Sequence, residues 1–337
     1  MVRILLAALV TAAALLLLVG LAGFGILLYM TSVPGKPHRG PLPPLTDEER
    51  ALASVLKKHI GAIAAREHNI ARYAALEAAA AYIEATLASY GYTVNRQSFD
   101  VDEQTVRNIE VVIEPREVEP APEVVVVGAH YDSARDTAGA NDNASGTAAV
   151  IELARLLRDL RGTAKRRMRL VLFVNEEPPY FQTDDMGSLR YAGALAERNE
   201  RVVAMYSLET LGYYTSASGS QQYPFPLGLL FPDRGDFVAF VGTPDARALV
   251  RASIGSFRSH TAFPSIGGVA PAFIPGIDWS DHWAFAQHGF PAIMLTDTAP
   301  YRYPHYHRAT DTPNKVDTER LARVVKGIER MVRDAAR

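Results

Sequence analysis

The sequence predicts a three-layer α/β/α sandwich with a mixed, mostly parallel central sheet, preceded by one N-terminal transmembrane helix. Strongly apolar runs such as Val124–Val127 and Leu170–Val174 are typical of buried strands, and helical patterns lie between them. This alternation is typical of sheets that are covered by helices on both faces. The uncharged run from Ile4 to Met30 predicts the membrane helix.

The first thirty residues differ in composition from the rest of the chain. The run from Ile4 to Met30 has no charged side chain and is longer than the roughly 20 apolar residues that cross a bilayer. A cleaved signal peptide has an apolar core of only about 7–15 residues. Residues 1–30 are therefore predicted to be an uncleaved signal anchor, with cleavage as the alternative. Residues 31–45 are rich in proline, which predicts an extended spacer that lifts the next domain off the membrane.

The remaining residues, 46–337, are predicted to form one domain. Thr46 followed by three acidic residues predicts the start of a helix, and Gly91 is predicted to cap the end of a second helix. Further strands are predicted over Tyr92–Phe99, Asn108–Ile113, Val202–Leu208 and Ala292–Leu295, and helices over Thr147–Leu160 and Gly187–Ala196.

Composition excludes several classes of protein and site. The chain has 35 Lys and Arg residues against 37 Asp and Glu residues, so it lacks the basic excess of a nucleic-acid-binding protein and no nucleic-acid partner is expected. It has no cysteine, which excludes disulfides and zinc–thiolate sites. A metal ion would have to be held by His, Asp, Glu or backbone oxygen atoms.

Potential metal ligands follow the predicted strands. Ligands of open α/β sheets bind outside the carboxyl ends of the strands, so these side chains are expected to converge at one edge. The set could hold two divalent ions bridged by a carboxylate. Its members are His130, Asp142, Glu177, Glu209 and His307, with Asp132 and Glu176 beside them.

Each of these residues alone has an ordinary structural interpretation. Asp142 lies in a Gly/Asn-rich turn and could cap a helix, and His305 could bind a metal in place of His307. Adjacent glutamates usually face solvent. Glu176 and Glu177, however, directly follow a predicted buried strand, where two carboxylates are costly unless a cation compensates their charge.

Together these residues carry a family resemblance. The chain resembles the M28 metallopeptidases, a family of zinc aminopeptidases that is structurally related to glutaminyl cyclases. The similarity extends from near Leu52 to the C-terminal helix and omits only the anchor and the spacer. Its motifs are GAHYDS, GANDNASG, FVNEEPP, SLETLGYY, SDHWAF, GFPAIMLTDT and PHYHRATDTPNKVD.

The resemblance implies a role for each site residue. It implies two zinc ions, or other divalent ions in their place. His130 and Glu209 would bind one ion, Glu177 and His307 would bind the other, and Asp142 would bridge them. Glu176 would be the general base, and the Tyr306 hydroxyl would stabilise the oxyanion. The substrate would be the N-terminus of a peptide or protein, cleaved outside the cytoplasm.

Three further points concern how the roles implied by the resemblance apply to this chain. Asp132 lies two residues after His130 and, in strand geometry, points to the same face, which predicts that its carboxylate orients the imidazole. Many family members have Asp where this chain has Glu209. Two alternatives also remain: a glutaminyl-cyclase-like acyltransferase with one zinc held by Asp142, Glu177 and His307, and a catalytically silent, membrane-anchored binding domain.

Overall fold

The computed structural model describes residues 2–117 and 122–337, and the elements named below belong to these ranges. The helices are α1 (Val2–Thr31), α2 (Asp47–Ile63), α3 (Tyr73–Ser89), α4 (Ala144–Leu156), α5 (Gly187–Glu197), α6 (Arg247–His260), α7 (His282–Gln287), α8 (Ala299–Arg302) and α9 (Thr318–Ala335). The strands are β1 (Asn95–Val101), β2 (Gln104–Ile113), β3 (Glu123–His130), β4 (Arg167–Phe173), β5 (Arg201–Glu209), β6 (Val238–Gly242), β7 (Ser265–Val269) and β8 (Ala292–Thr296).

The strands form one mixed sheet in the order β1-β2-β4-β3-β5-β8-β6-β7. β4, β3, β5 and β8 run parallel to one another at its centre. β6 and β7 are parallel to each other and antiparallel to β8, and the β1–β2 and β2–β4 pairs are antiparallel. The predicted mixed, mostly parallel sheet is confirmed.

The helices cover both faces of the sheet. Val125 and Val127 of β3 belong to one core, with residues of α2, α3, α4, α6 and α9. Val124 and Val126 belong to a second core on the opposite face, with residues of α5 and α7. Because successive side chains of a strand point to opposite faces, this division follows directly from the apolar run of β3. The three-layer prediction is confirmed.

Several predicted boundaries are confirmed and others move. Thr46 caps α2 through a capping box with Glu49. Gly91 lies one position beyond the C-cap residue of α3, with φ +79°. The helix predicted to begin at Thr147 begins instead at Ala144, because the Asn143 side chain accepts a hydrogen bond from the backbone amide of Gly146. The first strand begins at Asn95 rather than at Tyr92. Tyr92 is buried, and its hydroxyl donates to a carbonyl of α4.

The N-terminal segment has two parts. By length and composition, α1 could cross a membrane. Residues 32–45, the predicted spacer, form neither helix nor strand and lie against the folded domain. Arg258 donates to the carbonyl oxygens of Pro34 and Gly35 at 2.8 and 3.0 Å, and Arg323 donates to that of Pro43. These contacts hold the segment on the domain surface.

Candidate metal centre

The structure brings the predicted ligands together at the carboxyl edge of the central strands. His130 is the last residue of β3, and Glu209 is the last residue of β5. Glu177 follows β4, and Asp142 lies just before α4. His307 comes from the loop after α8. Three neighbouring parallel strands and two loops therefore supply one site.

Two groups of potential ligand atoms share Asp142, and a third joins His130 to Glu176 and Glu177. In the buried donor group, His130 Nε2 lies 3.4 Å from Asp142 Oδ1 and 3.4 Å from Glu209 Oε2. In the outer donor group, His307 Nε2 lies 3.0 Å from Asp142 Oδ2 and 3.2 Å from Glu177 Oε2. Two ligands of a tetrahedral zinc ion are about 3.3 Å apart when each bond is about 2.0–2.1 Å long. Each group therefore has the spacing of zinc ligands.

Buried atoms without partners support a metal at this site. Among the described residues, His130 Nε2, Asp142 Oδ2 and Glu177 Oε1 are buried and make no hydrogen bond of good geometry, although His307 Nε2 lies 3.0 Å from Asp142 Oδ2. Buried polar atoms are normally paired, and an unpaired one indicates a function or a missing ion. All three atoms belong to the two donor groups. The residues that are present therefore fit a pair of divalent cations.

The electrostatics of the site favour positive charge. Burial raises the pKa of Glu177 and that of Glu209 to about 7, and it raises the pKa of Glu176 well above its usual value. Burial opposes the charged form of His130, but Glu176 and Glu209 outweigh it and raise the pKa of that imidazole. The site thus holds protons tightly, and bound metal ions would replace them.

Asp132 contacts the glutamate pair as well as His130. Its carboxylate accepts hydrogen bonds from the backbone amides of Glu176 and Glu177, at 3.1 and 3.2 Å. His130 Nδ1 lies 3.1 Å from the backbone carbonyl oxygen of Asp132 and 3.5 Å from its carboxylate. The backbone of Asp132 is therefore the nearer partner of the imidazole, and its side chain fixes the segment that carries both glutamates. That second contact was not predicted.

Tyr306 and His305 have different environments. The Tyr306 ring stacks on His307, with ring centroids 4.0 Å apart. Burial and the nearby carboxylates of Asp142 and Glu177 raise the pKa of the Tyr306 hydroxyl, which keeps it protonated and able to donate. His305 Nδ1 instead lies 2.8 Å from Thr310 Oγ1, and His305 belongs to neither donor group.

Sequence reasoning assigned no role to two residues that hold ligands in place. The Asp311 carboxylate accepts from the backbone amides of Asn141 and Asp142, at 2.9 and 3.1 Å. Ser280 Oγ donates to Glu209 Oε2 at 2.8 Å. Both lie in motifs that carry the resemblance, and this membership was the only signal in the sequence.

An apolar cleft opens beside the donor groups. Glu209 of the buried donor group and Tyr306 are among its lining residues. Most of its remaining walls are apolar and come from the strand edge β8-β6-β7 and from the loops around it. Its lining includes Tyr223, Phe231, Ile266, Ile277 and Met294.

Comparisons with known proteins agree with this geometry. The family model described as "Peptidase family M28" matches residues 108–332. The uncharacterized protein YfbL of Escherichia coli strain K12 is 40% identical over 262 residues, which cover 75% of this chain and 78% of that protein. Among solved structures, BSAP, a zinc aminopeptidase from Bacillus subtilis, gives a TM-score of 0.68 at 16% identity and covers 88% of this chain and 97% of its own.

A glutaminyl cyclase from Fimbriiglobus ruber also shares the fold. Its TM-score is 0.59 at 20% identity, over 90% of this chain and 99% of that one. At such identities the two solved structures show a common fold and leave the activity open. The family match covers most of the sheet and every residue of the two donor groups, and with the relative from Escherichia coli it shows that the chain belongs to peptidase family M28.

Proposed function

We propose that this protein is a dinuclear zinc aminopeptidase that removes N-terminal residues from peptides, with Glu176 as general base. The observation that carries the proposal is the position of Asp142, whose two carboxylate oxygens each contact a different imidazole. A carboxylate placed in this way can bridge two ions.

The two donor groups would hold one zinc ion each. The buried donor group consists of His130, Asp142 and Glu209, and the outer donor group of Asp142, Glu177 and His307. Zinc bound at these positions would act as a Lewis acid. It would polarise the scissile carbonyl and lower the pKa of bound water towards about 7.

Glu176 has the properties of a proton carrier. Its carboxyl is buried, and its Oε2 lies 3.7 Å from His130 Nε2, at the rim of the buried donor group. Because burial raises its pKa, Glu176 can take a proton from the attacking water and return it to the nitrogen of the leaving amine. The Tyr306 hydroxyl would donate to the carbonyl oxygen as negative charge develops on it.

The surroundings of the site favour a free N-terminus as substrate. As the resemblance to the family implies, a free α-amine would bind beside one zinc ion and the acidic side chains of the donor groups. The apolar cleft begins at Glu209 and Tyr306, so it could receive the side chain of the N-terminal residue. An apolar N-terminal residue is therefore expected to be preferred.

The two alternatives are less well supported. A glutaminyl-cyclase-like acyltransferase needs only Asp142, Glu177 and His307. The contacts of His130 with Asp142 and Glu209 would then have no use. A silent binding domain needs no base, yet Glu176 is present and buried at the site.

We further propose that α1 anchors the protein in a membrane and that residues 46–337 act outside the cytoplasm, as a periplasmic or extracellular domain. The length and composition of α1 support the anchor. The side of the membrane follows only from the resemblance to the family.

The direct test combines metal content with activity. The chain is purified without chelators, its zinc is measured by elemental mass spectrometry, and hydrolysis of leucine p-nitroanilide is compared with that of N-acetyl-leucine p-nitroanilide. Two zinc ions per chain and chelator-sensitive hydrolysis of only the free amine would support the proposal. One zinc ion with cyclisation of a glutaminyl peptide would favour the acyltransferase, and no metal would leave a binding domain.

A further inference from the structure

The end of α1 lies directly against the sheet. A Cβ atom on Gly268 of β7 would lie 3.1 Å from the carbonyl oxygen of Met30 and 3.3 Å from the Cα of Thr31. A side chain at this position would therefore push the end of α1 away by a few tenths of an ångström. Arg247 of α6 adds a second contact, since its guanidinium stacks on Tyr29 at 3.7 Å and donates to the Tyr29 carbonyl at 3.0 Å.

Because of these contacts, the C-terminal end of α1 adjoins the folded domain directly. α1 has 30 residues and is about 45 Å long, whereas the hydrocarbon core of a bilayer is about 30 Å thick. The helix remains apolar up to Met30. Tyrosine at the end of a spanning helix is typical of the membrane–water interface. With Tyr29 at that interface, the edge strand β7 would lie at the membrane surface.

Exposed apolar side chains mark the same edge of the domain. In residues 32–117 and 122–337, the large hydrophobic side chains that are strongly exposed are Phe225, Leu229, Leu230, Phe273 and Trp279. Phe225, Leu229 and Phe273 are 85%, 77% and 81% exposed. All five lie in two loops, residues 223–231 and 271–279, which we call the rim loops because residues of both line the apolar cleft.

The rim loops and the end of α1 surround one opening. Thr31, the last residue of α1, lines the cleft together with Tyr223 and Leu227 of the first rim loop and Ile277 and Trp279 of the second. Large apolar residues clustered at a surface mark an interaction site. Here both rim loops border a cleft that the last residue of the candidate membrane span also lines, so the surface beside them would be the bilayer in which α1 is embedded.

We propose that the two rim loops insert into the interfacial region of the membrane that α1 spans, so that the cleft opens on the bilayer surface. The occupant of the patch is the lipid headgroup and upper acyl region. Peptides that lie on the membrane with an apolar N-terminus would then reach the donor groups without leaving the interface. This inference rests on the proposed membrane anchor and does not depend on the proposed chemistry.

Because the chain has no cysteine, a single introduced cysteine is the only thiol that a fluorophore can label. Phe225→Cys and Phe273→Cys report the rim loops, and Val19→Cys reports the anchor. Ser98→Cys on β1 is the matched control, since its side chain is exposed and β1 lies at the opposite edge of the sheet from β7, roughly 33 Å away. Each full-length variant carries an environment-sensitive fluorophore in vesicles of phosphatidylethanolamine and phosphatidylglycerol.

Quenching distinguishes the outcomes. Lipids with nitroxides at shallow or deep acyl positions report depth, and iodide reports exposure to water. We expect the labels at 225 and 273 to be quenched most by the shallow nitroxide, about 5–10 Å into the headgroup and acyl boundary. We expect the label at 19 to be quenched most by the deep nitroxide and the label at 98 only by iodide.

Three results would overturn the inference. Iodide quenching at 225 and 273, with the label at 19 still deep, would retain the anchor and exclude insertion of the rim loops. Shielding of 225 and 273 from both quenchers would indicate a second copy of the chain on this surface. A label at 19 that lipid nitroxides do not quench would remove the anchor and with it the inference, while leaving the proposed peptidase chemistry intact.

Discussion

The two donor groups share one aspartate but differ in how the fold holds them. His130 ends a central strand and is fully buried, so the core fixes its position. His307 stands on a loop in the left-handed region, with φ +52°, and its side chain is 36% exposed. The two groups therefore differ in their imidazoles, one held in the core and one partly exposed on a loop, whereas their carboxylates are all buried. This contrast suggests a permanent ion at the first position and an exchangeable one at the second.

Replacing Asp142, which belongs to both donor groups, should remove the difference between them. Of all the changes it should have the largest effect on hydrolysis. Asp142→Ala deletes the residue that both groups use, so both ions should be lost. Because a metal contributes several kcal/mol to catalysis, hydrolysis of leucine p-nitroanilide should fall by more than about a thousandfold. Asp184→Ala, which changes an exposed aspartate outside the site, should change neither zinc content nor rate. Retention of both ions by Asp142→Ala would contradict the bridging role.

Changes in the glutamate pair should separate chemistry from metal binding. Glu176→Gln should lower kcat on the order of 10²–10⁴-fold, the usual contribution of a general base, with zinc content unchanged. Glu177→Gln should instead release zinc from the outer donor group. Rapid hydrolysis by Glu176→Gln would exclude Glu176 as the base, and loss of zinc in that variant would make it a ligand.

The two histidines should differ in their effect on stability. In metal-free protein, His130→Ala leaves the carboxylates of Asp142, Glu176 and Glu209 buried without their imidazole, and should lower the free energy of unfolding by about 3 kcal/mol or more. His307→Ala also leaves two buried carboxylates, those of Asp142 and Glu177, without their imidazole, but the imidazole itself is partly exposed, so the loss should be smaller, about 1–2 kcal/mol. Urea unfolding of the detergent-solubilised chain measures both. Equal losses would show that the two groups are equally embedded in the core.

A chelator should act on the two groups in sequence. During titration with a metal chelator, the more exposed outer donor group should lose its ion before the buried donor group does. Zinc release followed by elemental analysis should therefore show two phases, and His307→Ala should lack the first. A single phase in the unaltered chain would show that both ions leave together.

The difference between buried strand ends and surface loops also explains which features could be predicted from the sequence. Apolar runs and strand ends led to the central sheet and to His130, Glu177 and Glu209, because burial and periodicity leave a local signal. β6 and β7 were not predicted. β7 reads Ser-Ile-Gly-Gly-Val, and its second glycine, Gly268, lies against the end of α1, which only the folded chain brings near.

Long-range contacts were the other limit. The hydrogen bonds from Asn141 and Asp142 to Asp311 span 170 and 169 residues, a distance at which no spacing rule applies. The choice of His307 over His305 likewise depends on the path of a loop. The family resemblance indicated His307, whereas the local pattern allowed either residue.

The smallest of these effects should come from the aspartates that position the ligands through the backbone. Asp132 accepts hydrogen bonds from the amides of Glu176 and Glu177, and Asp311 accepts them from those of Asn141 and Asp142. Partners of this kind typically change metal affinity or activity by about 10–100-fold. Asp132→Asn should lower kcat and weaken zinc binding at the outer donor group, since it releases the segment that carries both glutamates.

Asp311→Asn should instead weaken zinc binding at both donor groups, because it releases the shared ligand Asp142. Competition with a fluorescent zinc chelator resolves the two affinities, and a kcat measurement at saturating zinc isolates the effect on Glu176. If Asp132→Asn lost zinc affinity while kcat at saturating zinc stayed unchanged, Asp132 would support the metal ligands alone. The position of the Glu176 carboxyl would then depend on its burial and not on the hydrogen bond to Asp132.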